Sequence, residues 1–254
     1  MAARECQRLS AWRDDAGKRA RGLQPADGRR VRISWVLLLQ KKPALALPPR
    51  SLRDPARLAA GLALAALLLF AGTATWLQFA RTDLDWMRAT LSLYLHGPHG
   101  LWLRGAYCVL AVAIAVLAIA LHARLRGAAR RGLPLALFCA AGVGLATVAV
   151  GDSWLPQRAP LLAPLVHALA AQTAFLCVTT AMLLQAWCFG RDPRWRGFHR
   201  FAWWWAWLAF AGLWLHVLWR DTPRGLGQKA VIALVVAWLA RVALQLWRQP
   251  RRHG

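Results

Sequence analysis

Residues 161–189 read LLAPLVHALAAQTAFLCVTTAMLLQAWCF. The stretch contains no Lys, Arg, Asp or Glu. A helix crossing the hydrocarbon of a bilayer needs about 20 mostly apolar residues, so this stretch is long enough to cross with residues to spare. Backbone N–H and C=O groups in lipid must be paired within their own segment, which makes a helix the default. Five further stretches share the character: 57–80, 105–122, 133–150, 200–219 and 229–247. With 58% hydrophobic residues arranged in blocks, the 254-residue chain is expected to be an all-α integral membrane protein, a six-transmembrane-helix bundle.

A net charge of +23 would point to nucleic acid in a soluble protein. Here the basic residues are spread over short loops and a tail, with no nucleic-acid-binding motif, so no such partner is expected. Four lysines stand against twenty-nine arginines, a bias that suggests a GC-rich bacterial gene. Twenty-five Lys and Arg fall on the side of the N-terminal segment and seven on the opposite side. Basic residues concentrate on the cytoplasmic side of membrane proteins. The expectation is therefore a bacterial inner-membrane protein with both termini in the cytoplasm.

Three regions follow. Residues 1–56 form a basic cytoplasmic tail whose Arg, Asp, Gly and Pro content reads as disorder; a translation start further downstream is an alternative reading. Residues 57–247 are the six-helix domain, and 248–254 a short basic C-terminal tail. A cleaved signal peptide is not expected, because the first apolar run starts far from Met1. The five cysteines show no C-x-x-C spacing and read as small apolar residues.

Between helices one and two, Leu84, Met87, Leu91 and Tyr94 or Leu95 recur at helical spacing. They predict a short amphipathic helix on the outer surface, capped by Thr82 or Asp83 and stopped at Gly97-Pro98. Trp76, Trp86, Trp102 and Trp154 read as an outer aromatic belt. Trp187, Trp195 and Trp203, Trp204, Trp205 and Trp207 read as an inner one.

Polar residues in membrane helices are costly, and so they are the first candidates for function. In the opening stretch, Ala163, His167, Ala170, Ala174, Cys177 and Ala181 form a small-residue stripe, the kind along which membrane helices approach closely. Ala202, Ala206, Ala209 and Gly212 form another, which His216 continues. Facing stripes on antiparallel helices would bring His167 and His216 together near the outer surface. Asp152, expected in the outer loop before helix four, could reach them. The candidate outer-facing site is Ser92, Asp152, His167 and His216, with Tyr94, His96 and His99 as possible additions. The plainer reading is that such histidines hold helices together. His96 and His99 flank a Gly-Pro break and make a poor metal pair.

The stretches DWMRATLSLYLHGPHGLW (85–102) and GDSWLPQRAPLLAPLVHALAAQTAF (151–175) resemble the bacterial membrane family catalogued as domain of unknown function 998. The resemblance spans roughly 57–247. It implies about six helices, a Ser-containing outer segment before helix two, and a helix-four His following an outer acidic residue. It places Ser92, Asp152 and His167 at the matching positions and implies no reaction.

Three functions compete. The first is a non-enzymatic membrane protein that interacts with membrane lipids or a partner, and the sequence favours it. The second is a membrane-embedded, metal-dependent lipid hydrolase; only two well-placed histidines support it. The third is a b-type haem or quinone protein, which requires His167 and His216 to face each other. Whether the chain is an enzyme, and which cofactor it holds, are left open. Catalytic motifs such as G-x-S-x-G or H-E-x-x-H are absent.

Overall fold

The computed structural model describes residues 54–219, 221 and 223–249, all within one compact unit, Ser51–Gly254. The expected 1–56 tail falls outside these residues except for its last three positions, and so does the C-terminal tail beyond Gln249.

The described residues are helical with no strands. Six helices run in chain order: α1 Pro55–Ala80, α2 Gly100–Arg124, α3 Gly132–Arg158, α4 Ala163–Arg191, α5 Arg196–Leu218 and α6 Arg224–Arg248. All six are long and apolar enough to cross a membrane. Each packs against the next, and α6 returns to α1, which closes a ring. Many large apolar side chains point away from it, among them Leu68, Phe79, Trp102, Val112, Val143 and Leu161. A water-soluble protein rarely leaves so much apolar surface uncovered. These side chains are the lipid-facing exterior.

Most helices run past the ends of the apolar stretches. The largest extension is in α3, which continues through Pro156 to Arg158. Asp152 is therefore on the last turns of this helix and not in a loop.

The two ends of the bundle are tied differently. At one end Asp54 caps α1, accepting from Ala56 N at 3.1 Å, and also pairs with the buried Arg124 of α2. Arg194 clasps Asp192 with two side-chain hydrogen bonds and donates to Arg124 O. Arg57 donates to Gln249 O, which brings the start of α1 to the end of α6. The opposite end carries His167 and the 81–99 connection.

That connection does not form the expected amphipathic helix. Residues 82–89 make turns, and a five-residue 3-10 turn, Leu91–Leu95, follows. The reason lies in α6. Its first N–H groups have no partners within their own helix; Gly225 N donates to Arg88 O and Leu226 N to Met87 O. In a helix, Leu91 N–H would bond Met87 O; here it donates to Gln228 Oε1 at 2.8 Å. A partner distant in the sequence has replaced the local one. Leu91, Tyr94 and Leu95 are still buried.

The small-residue stripes pack, but not against each other. A side chain on Gly144 of α3 would meet Ala170 O of α4 at 2.7 Å, so the α4 stripe is pressed against α3. On α5, Ala202, Ala206 and Ala209 are fully buried. This stripe faces α6: Trp238 Nε1 donates to Ala202 O and Trp205 Nε1 to Leu234 O, both at 2.9 Å. Trp195, expected in a belt, is also fully buried and stacks on Phe189 with ring centres 4.2 Å apart.

Candidate functional site

The end of α3 and the start of α4 are joined by a four-residue connection, 159–162, so their terminal turns lie side by side. This places Asp152 against His167. His167 Nδ1 lies 3.0 Å from both Asp152 oxygens. A carboxylate accepts only, so Nδ1 carries the proton and Nε2 is left to face outward from the pair. Nε2 has no hydrogen-bond partner among the described residues. From the 81–99 connection His96 approaches the same carboxylate, with Nε2 3.7 Å from Asp152 Oδ2.

Two arginines hold this arrangement in place. Arg81, at the end of α1, is buried, donates to His96 O, and makes a two-pronged bond to Asp83 at 2.7 Å on each side. The Asp83 hydrogen bonds hold the Arg81 guanidinium above its ordinary pKa, and Arg81 in turn holds Asp83 below the usual carboxylate range. Arg104 of α2 donates to Leu95 O at 2.9 Å and to Ser153 Oγ at 3.0 Å, linking the connection to the end of α3. Gly97 and His99 adopt left-handed backbone conformations (φ 77° and 63°) that turn the chain into α2.

The pair borders two cavities. The outer one, of ≈ 330 Å3, is lined by Ser92, His96, Asp152, His167 and the prolines Pro156, Pro160 and Pro164. The inner one, of ≈ 90 Å3, begins at Ser92 and His167 and runs between the helices among Leu110, Leu145, Ala171, Val178 and Val235. On α4 its lining spans His167 to Val178, roughly 16 Å at 1.5 Å per residue. The inner cavity is therefore a narrow apolar slot with a polar mouth. None of the residues lining either cavity is Lys or Arg.

Of the expected site residues, Ser92, Asp152 and His167 come together, and His96 joins them. Ser92 Oγ is bonded to Thr90 Oγ1 at 3.1 Å and not to His167. His216 lines neither cavity. It lies on the α5 stripe, with Nδ1 buried without a partner and directed at Gly227 of α6. His99 packs on Trp76 with ring centres 5.2 Å apart, and Tyr94 turns under Lys229. Among the described residues no three His, Cys, Asp or Glu side chains converge so that they could hold a metal ion. Arg81, Arg104 and Gln228 were missed by sequence reasoning. Arg104, a charge within the first turns of an apolar helix, was the one visible signal.

The fold and site define an all-α, six-helix membrane protein with an Asp–His pair at the mouth of an apolar interior slot. Residues 56–245 match the model of the protein family of unknown function DUF998. The chain belongs to that family. No curated protein and no solved structure matches it.

Proposed function

We propose that the protein binds a single-chain lipid with a neutral, hydroxyl-bearing head, in a bacterial inner membrane with both termini cytoplasmic. The carrying observation is the pair of cavities that share Ser92 and His167 in their walls, the outer one lined also by His96 and Asp152 and the inner one largely apolar. Apolar walls with a few convergent polar groups are the usual make-up of a small-molecule site. Nε2 of His167 accepts from a hydroxyl, or donates to one when the ring is protonated. A phosphate head is disfavoured, since the lining has a carboxylate and no Lys or Arg. The basic asymmetry of the loops supports the orientation.

The test is lipid retention. The full chain is purified in mild detergent, incubated with a monoacylglycerol, and the bound lipid is extracted and quantified by mass spectrometry. Stoichiometric retention that falls several-fold in Ala171→Phe, which fills the slot, and in His167→Ala supports the reading. Equal retention in all three proteins refutes it.

Hydrolysis of such a lipid is a second reading, favoured by the Asp152–His167 bond. That bond is the orienting half of the Ser-His-Asp arrangement: the carboxylate holds Nδ1–H and leaves Nε2 as base. Ser92 would have to leave Thr90 and turn to His167. Turnover of the monoacylglycerol that is lost in Ser92→Ala, with binding intact, supports this reading; binding without turnover leaves the first.

A further inference from the structure

A second groove, of ≈ 710 Å3, lies along the seam of α1 and α6. Its apolar wall includes Phe70, Ala74, Phe79, Ile232 and Ala233. Phe79 and Trp86, at its edge, are 77% and 52% exposed, so the groove opens to the lipid side. It shares Phe70, Ile232 and Val236 with the interior slot, but neither Asp152 nor His167 lines it.

Lys229 stands at the head of this groove. Its ammonium donates to Gln78 Oε1 and to Trp86 O, both at 2.6 Å, and lies 5.1 Å from the centre of the Tyr94 ring. All three partners are neutral. Among the described residues no carboxylate lies within ion-pair distance of Nζ. Asp85 instead accepts from Met87 N and faces Arg88. An ammonium has three N–H groups, of which two are used. Asp85 still acts on Lys229 from beyond ion-pair distance, but partial burial of a charge with no ion-pair partner is costly. The fold accepts that cost here, where an apolar channel meets the membrane boundary.

We propose that this groove binds an anionic glycerophospholipid of the leaflet on the His167 side. The phosphate sits on Lys229 and one acyl chain lies along the α1–α6 seam. Charge complementarity identifies the occupant. The lipid supplies an anion in direct contact with the ammonium, whose direct partners are all neutral, and an apolar tail in one molecule; a net anionic head suits this lysine better than a zwitterionic one. Gln78 and Trp86 O aim the ammonium without neutralising it. This site takes a lipid with an anionic head, whereas the interior slot admits one with a neutral head, and the two sites stand or fall separately.

The experiment is native mass spectrometry of the full chain in mild detergent, with phosphatidylglycerol and phosphatidylcholine of identical acyl chains in competition. The expected result is several-fold preferential retention of phosphatidylglycerol. Lys229→Gln removes the preference, Lys229→Arg keeps it, and Arg158→Gln, altering a charge elsewhere at the same end, leaves it unchanged. Ala233→Trp blocks the groove with the ammonium in place and abolishes retention, so the test survives if Lys229→Gln fails to fold. Equal retention of the two lipids by the unaltered protein would overturn the proposal. So would a preference that persists in Ala233→Trp, or displacement of the lipid by inorganic phosphate alone.

Discussion

His167 Nδ1 is equidistant, at 3.0 Å, from the two carboxylate oxygens of Asp152. The two residues lie on neighbouring antiparallel helices, fifteen positions apart. The contact does two things at once. It ties α3 to α4 at the polar end of the bundle, and it fixes which imidazole nitrogen meets the cavities. The Asp152 side chain is 10% exposed and faces this neighbour and His96.

The pair should be energetically coupled. Asp152→Asn, His167→Gln and the double variant form a thermodynamic cycle, read by thermal denaturation in detergent. Hydrogen bonds to a charged group contribute roughly 1.5–3 kcal/mol, and a coupling of about that size is expected. Strictly additive losses would mean the contact holds nothing together.

Glycine substitutions should separate close approach from mere helix content. A Cβ on Gly225 would lie 2.3 Å from Ala89 O, and one on Gly144 2.7 Å from Ala170 O. Either alanine substitution is expected to cost about 1–3 kcal/mol through forced backbone shifts. Gly72 has nothing within 4 Å, and Gly72→Ala should be neutral or stabilising by up to about 1 kcal/mol. Denaturation midpoints of the three variants decide the matter.

Acid stability should report on the opposite end. Asp192, between α4 and α5, is almost fully buried. Desolvation pushes its pKa up, but the hydrogen bonds from the Arg194 side chain and backbone outweigh this, so it lies below the ordinary carboxylate value. A carboxyl group with a lowered folded-state pKa stabilises the fold above its unfolded value, about pH 4, and loses that contribution as pH falls further. Melting temperature should therefore drop as pH is lowered through about 4, and Asp192→Asn should flatten the drop. An unchanged profile in the variant would remove Asp192 from the account.

The α5–α6 clasp gives a fourth expectation. Trp238→Phe keeps most of the buried ring and loses the bond to Ala202 O. It should cost about 0.5–1.5 kcal/mol plus the loss from a smaller ring. Trp204→Phe, on an exposed indole, should cost little. Equal effects of the two in a denaturation series would contradict the clasp.

The membrane helices were legible because each is a long apolar run with few or no charges in its interior, as at 161–189. Asp152 and His167 were legible as neighbours because a short connection forces consecutive helices to lie side by side. His216 was misjudged because a small-residue stripe shows that a helix has a close neighbour but not which one; the stripe bearing it turned to α6. The 84–95 segment has helical spacing, and Leu91, Tyr94 and Leu95 are buried as that spacing implies. Its backbone is not helical because Gly225, Leu226 and Gln228, more than 130 positions away, take its hydrogen bonds. No local pattern carries that information. The interior slot was equally hidden, since it arises from the fit of several helices.

The most direct test of the account is to locate a bound chain. A monoacylglycerol carrying a photoreactive diazirine midway along its acyl chain is irradiated with the full protein in detergent, and the labelled residues are mapped by mass spectrometry. The account predicts labelling inside the slot, at Leu110, Leu145, Val178 or Val235, lost in Ala171→Phe. Labelling confined to lipid-facing residues such as Leu68, Val112 and Val143, unchanged in that variant, would contradict it.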